Sequence, residues 1–113
     1  MKIKIAEEVP AESVEIEGAV DVKIRLLIHE AEQAPNFYMR QFTVAPGGQT
    51  PCHTHAWEHE VYVLDGSGTV VTPEGDVQLM AGQAVYVAPN DVHQFRNTGD
   101  EDLKFLCLIP KPL

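Results

Sequence analysis

The sequence predicts an all-β fold of about ten short strands closed into a sandwich or barrel. Two patterns and one absence carry that expectation. Turn-forming clusters recur at short intervals: APGG at 45–48, DGSG at 65–68, TPEGD at 72–76, AGQ at 81–83, APND at 88–91 and NTGD at 97–100. Between them lie short runs rich in β-branched and aromatic residues, which suit a pleated, half-buried surface. No stretch sustains the apolar period of a helix.

Taken in order, the N-terminal AEEVPAESVEI at 6–16 comes nearest to a helix, and Pro10 interrupts it by removing an amide donor and crowding the preceding turn. VKIRLLI at 22–28 and NFYMRQFTV at 36–44 follow as strands, the second ended by APGG. EVYVL at 60–64 and GTVVT at 68–72 flank DGSG. AVYVA at 84–88, HQFRN at 93–97 and LKFLCLI at 103–109 come last. No repeat, linker or low-complexity tract divides the chain, so residues 1–113 are expected to form a single domain.

A chain of 113 residues buries only about 60–70% of its unfolded surface, and so modest a core points to a homodimer that hides more apolar area. Eight basic against seventeen acidic residues give a formal charge of −9. That balance opposes the phosphate contacts that nucleic acid or an anionic membrane would require. The start, MKIKIAEEVP, lacks the apolar core of a signal peptide, and no apolar run approaches the roughly 20 residues of a membrane span. A cytoplasmic location is expected. Cys52 and Cys107 are too few for a disulfide framework and are read as thiols.

The stretch PCHTHAWEHEVYVLDGSG, residues 51–68, is the richest in chemistry. Side chains of a strand alternate between faces, so His53, His55, His59, Val61 and Val63 share one parity, and Cys52, Glu58, Glu60, Tyr62 and Leu64 the other. With the histidine parity inward, three imidazoles enter a space otherwise lined by valine, where each unpaired polar group costs about 1–3 kcal/mol. A shared metal ion would satisfy all three. In APNDVHQFRN, His93 shares parity with Phe95 and Asn97 and faces the same kind of interior.

These spacings resemble the cupin superfamily. Its first motif, G(X)5HXH(X)3–4E(X)6G, is followed by Gly47, His53, His55, His59 and Gly66, with His59 in the glutamate position. Its second, G(X)5PXG(X)2H(X)3N, is followed by Gly82, Pro89, His93 and Asn97, with Ala88 and Asn90 departing from proline and glycine. Asn tolerates the left-handed conformation, so the turn before His93 is expected to survive. The motifs occupy 47–66 and 82–97. The resemblance implies a double-stranded β-helix, or jelly-roll, barrel. It also implies a metal site of His53, His55, His59 and His93, like that of small cupins with four histidines and no carboxylate. Glu60 is the competing ligand for His59; it fits the looser spacing but leaves the histidine face.

Four neutral imidazoles leave the charge of a divalent ion uncompensated, which favours an anionic ligand such as a carboxylate, an enolate or a peroxide. Imidazole alone does not choose among first-row metals. The resemblance points to manganese first and iron next, with copper, nickel or zinc able to occupy the site; a closed tetrahedral zinc would instead be structural. The expected function is a metal-dependent oxidoreductase, a dioxygenase or an oxidase or peroxide-using enzyme, acting on a small anionic or chelating substrate with O2 or peroxide. A non-catalytic metal and small-ligand module is one alternative. A lyase or isomerase that uses the ion as a Lewis acid is another. Oxalate chemistry is disfavoured because the carboxylate ligand is missing.

Phe95, Phe105, Cys107 and Ile109 are expected to wall the substrate pocket, and Arg40 to clamp an anionic substrate. Trp57, Tyr62 and Leu64 are placed on or beside an outward face suited to the dimer contact. Glu58, Glu60 and Asp91 at the rim, Cys52 opposite His53, and His29 at a strand end are left without a role.

Overall fold

The computed structural model describes residues 1–112. Among them are nine strands, and every pairing between strands is antiparallel. In chain order these are β1 (Glu12–Ser13), β2 (Val20–Ile28), β3 (Phe37–Gln49), β4 (His59–Asp65), β5 (Ser67–Thr72), β6 (Gly75–Met80), β7 (Ala84–Val87), β8 (Gln94–Arg96) and β9 (Leu103–Pro110). The sheet runs β6-β5-β8-β3-β9-β4-β7, with β2 also on β3 and β1 on β2. Because β3 bonds β9 along its first half and β8 at its end, the sheet curls over itself as a cupin barrel does.

Alternation explains the core. On β4, His59, Val61 and Val63 are buried while Glu60, Tyr62 and Leu64 are exposed; on β9, Leu103, Phe105 and Cys107 are buried. Across the β4–β9 ladder Val61 opposes Cys107 and Val63 opposes Phe105, so inward pairs meet directly. The Phe105 ring stacks on Phe42 with centroids 5.4 Å apart and packs on Phe95 at 4.8 Å.

Three elements differ from the sequence reading. β3 does not stop at Val44 but runs through APGG to Gln49. The break is absorbed as a bulge, in which the partner of β2 jumps from Val44 to Gln49 and Gly47 takes a φ of +83°. GDVQLM at 75–80 forms β6, closing a hairpin on β5 whose turn is held by the Thr72 hydroxyl donating to the Gly75 carbonyl at 2.7 Å. The region 6–16 holds only a 3-10 turn at Ala6–Glu8 and then, past Pro10, the edge strand β1.

Candidate metal centre

The two histidine motifs are joined by the backbone before any side chain is considered. His53 and His93 exchange amide-to-carbonyl hydrogen bonds of 3.2 and 3.1 Å, forming an isolated bridge. Asn90, in the left-handed region at φ +69°, donates its N–H to the His55 carbonyl at 2.8 Å. The turn expected to survive the loss of glycine therefore does so. At the end of the second motif, Asn97 is a structural tie: its buried side-chain amide donates to the carbonyls of Val44 and Glu101 at 2.8 and 2.7 Å.

The four histidine rings gather at one end of the barrel. Centroids lie 5.1 Å apart for His53–His55, 4.8 Å for His53–His93, 4.4 Å for His55–His59 and 5.2 Å for His59–His93. Candidate ligand atoms of His53, His55 and His93 all fall within 4.8 Å of one another. His59 stands outside that tightest set, stacked on His55 and buried. His53 is exposed, so the cluster opens toward solvent on its side rather than being enclosed by valine.

Hydrogen bonds fix which nitrogens face inward. His55 Nδ1 donates to the Trp57 carbonyl at 2.8 Å and His93 Nδ1 to the Asp91 carbonyl at 2.9 Å. A carbonyl only accepts, so each Nδ1 carries the proton and each Nε2 presents a lone pair. Both Nε2 atoms are buried and have no hydrogen-bond partner among the described residues. An orphaned buried acceptor costs about 1–3 kcal/mol, and a shared divalent cation removes that cost. The donor set suits a divalent transition metal.

His53, His59 and His93 are also biased toward the neutral imidazole, the form that binds metal. Burial, then the nearby Arg40 charge, then the other histidines bring His59 down to about 3. Burial likewise lowers His53 and His93. His59 Nδ1 lies 3.1 Å from Cys107 Sγ, which accepts a further hydrogen bond from Arg40 Nη2 at 3.0 Å. Burial pushes the Cys107 thiol up, with Arg40 acting in the opposite sense.

His53, His59 and His93 border a cavity of about 170 Å³. Arg40, Phe95, Phe105 and Cys107 line it. Ile109 does not: it follows Cys107 by one strand repeat of about 6.6 Å and reaches a separate groove with Phe37, Glu58 and Glu60. The sequence reading missed Phe42, although it shares parity with Arg40 on β3, and the further lining residues Val14, Ile16, Val22 and Ile24.

Trp57 also differs. Its indole stacks on the His55 ring, with centroids 4.3 Å apart and planes 4° apart, instead of facing away from the site. Tyr62 and Leu64 do point outward. Glu60 is exposed on the opposite face of β4, Cys52 is exposed, and His29 packs edge-on to Tyr38 away from the cluster.

A family profile described as Cupin domain matches residues 40–109. Auxin-binding protein 1 of Arabidopsis thaliana is 38% identical over 79 residues, covering 62% of this chain and 40% of its own length. The chain thus spans about two fifths of the length of the auxin-binding relatives it matches. The oxalate-binding protein of Thermotoga maritima is 32% identical over 85 residues, 74% of this chain and 70% of its own. Among solved structures, the polyketide cyclase RemF from Streptomyces resistomycificus superposes with a TM-score of 0.93 and 34% identity, over 99% of this chain and 80% of its own.

Proposed function

The chain belongs to the cupin family, and from that premise we propose that it is a metal-dependent oxidoreductase acting on a small anionic or chelating substrate. His53, His55, His59 and His93 are the proposed ligands. The observation that carries the reading is the pair of buried, unpartnered Nε2 atoms on His55 and His93, beside a cavity bordered by the cluster.

A bound divalent ion, manganese first and iron next, with copper, nickel or zinc as further occupants, would polarise a ligand oxygen and, if redox-active, exchange electrons with O2 or a peroxide. The chain's own residues do the rest. Ligation through His59 Nε2 requires its Nδ1 to carry the proton and donate to Cys107. Arg40 supplies positive charge for the substrate's anionic end. Phe95 and Phe105 exclude water around it.

A second reading, a lyase, isomerase or cyclase that needs no oxidant, is favoured by two observations. A solved structure that overlaps 99% of this chain at 34% identity is named a polyketide cyclase. A free thiol 3.1 Å from His59 is an oxidisable group beside any oxygen chemistry.

Purification from manganese- and iron-supplemented cultures, with elemental analysis and oxygen-uptake assays, separates these readings. About one ion per chain, lost in His93→Ala, supports the centre. Uptake of O2 or peroxide with manganese or iron supports the first chemistry, and turnover with zinc under anaerobic conditions the second. Protein that binds no metal ends both. We further take the protein as a cytoplasmic homodimer docked through Tyr62, Leu64 and Tyr86, which are 47%, 42% and 61% exposed on one outward face of β4 and β7. A monomeric mass by sedimentation at micromolar concentration would rule the dimer out.

A further inference from the structure

We propose that the ligand of this centre is a single-ring aromatic monocarboxylate, with its carboxylate between the histidine cluster and Arg40 and its ring in the apolar cavity. The inference rests on the metal reading above for one end of the ligand and on this chain's own walls for the other.

Size comes first. The cavity holds about 170 Å³, and a cavity of about 150 Å³ lined by Leu, Ile and Phe stays dry and takes up benzene. Shape agrees. Val14, Ile16, Val22 and Ile24, from β2 and the segment before it, line it together with Phe42, Phe95 and Phe105, and Ile24 sits beside Phe42 across the β2–β3 ladder. A flat ring in this cavity meets both branched aliphatic groups and aromatic rings, and its contacts with the rings contribute beyond area alone.

The donor inventory then narrows the class. The Thr50 hydroxyl is already committed, accepting from the Phe95 amide at 2.9 Å and donating to the Phe95 carbonyl at 3.4 Å. Cys107 is engaged between Arg40 and His59. What remains is Arg40 Nε, buried and without a partner among the described residues, on a guanidinium held 5.0 Å over the Phe42 ring. One cationic donor matches one carboxylate. A sugar phosphate would bring hydroxyls that find no partner on these walls, each costing about 1–3 kcal/mol. Oxalate, able to chelate the ion with both carboxylates, would leave the apolar volume empty and its contacts unmade.

The test is isothermal titration of the manganese-loaded full chain with benzoate, oxalate and glucose 6-phosphate, with metal content measured on the same samples. Benzoate is expected to bind at least about tenfold more tightly than either competitor. Arg40→Gln is expected to weaken benzoate about tenfold with metal content unchanged. Arg40 is half-buried, so Ile16→Asp provides a second variant: Ile16 is 57% exposed at the cavity wall, and a carboxylate there repels the ligand without touching the fold. Loaded protein that binds oxalate or glucose 6-phosphate as tightly as benzoate, or binds benzoate equally well in both variants, overturns this inference and leaves the metal centre standing. Protein that takes up no metal overturns the metal reading and this one with it.

Discussion

Cys107 distinguishes His59 from the other histidines. His55 and His93 are oriented by backbone carbonyls, which no substitution removes, whereas His59 is oriented by a side chain that also receives Arg40. Cys107 is therefore a positioning residue. Cys107→Val is expected to weaken metal binding by about 10–100-fold, as loss of an outer-shell partner does, while Cys107→Ser, which keeps an acceptor, recovers most of it; competition titration with a chelator measures both. Equal affinity in all three proteins would remove the role. Trp57 offers an independent readout as the chain's single tryptophan. Stacked on His55, it is expected to lose emission when cobalt or copper binds and to keep it in His55→Ala; unquenched emission in metal-loaded wild type would place the ion away from His55. Strand parity alone brought His53, His55 and His59 to one face and sent Glu60 to the other. Trp57 shares the histidines' parity, but residues 56–57 lie in a bend before β4, so alternation gave no ground for placing its ring on His55.

Between β4 and β5 the chain turns at Gly66, and near the end of β3 it bulges at Gly47; both have positive φ, +81° and +83°. Their surroundings differ. A Cβ on Gly66 would collide with the Asp102 carbonyl, whereas a Cβ on Gly47 meets nothing within 4 Å. Gly47→Ala therefore bears only the dihedral cost, about 1–2 kcal/mol, and Gly66→Ala bears that plus displacement of the strand entering β9. The urea midpoint is expected to fall further for Gly66→Ala, and equal shifts would show that Asp102 yields freely. The same local physics limited what the sequence showed of the elements. Turn residues mark where a chain can bend, yet at APGG they make a bulge inside one strand because Gly48 lies against the Val20 and Ala45 carbonyls, too close for any side chain. β6 escaped notice because Val77 is exposed and only Leu79 of its residues is buried, leaving little apolar signal.

At the scale of the whole molecule, a barrel with four histidines at one end and a net charge of −9 meets acid in two opposing ways. Protonation relieves the self-repulsion of the acidic chain, which favours the folded state. The histidines act against it. His59 ionises near the ordinary histidine value of 6.5 when unfolded and at about 3 when folded, and His53 and His93 are lowered in the same direction. Between those values the unfolded chain binds protons that the folded chain refuses, so stability is full above about pH 6.5 and is lost as the pH falls toward about 3. The two effects are separated by a difference: the urea midpoint of metal-free protein is expected to drop from pH 7 to pH 5 by more in wild type than in His59→Leu, which keeps the general charge relief and removes the buried base. Identical pH dependence in the two proteins would mean that His59 is not held neutral. Metal changes the sum. An ion at about 1,000 times its dissociation constant stabilises the folded state by about 4 kcal/mol. The loaded protein is therefore expected to stay folded at a urea concentration that unfolds the metal-free form, and to lose that margin when a chelator is added at pH 7.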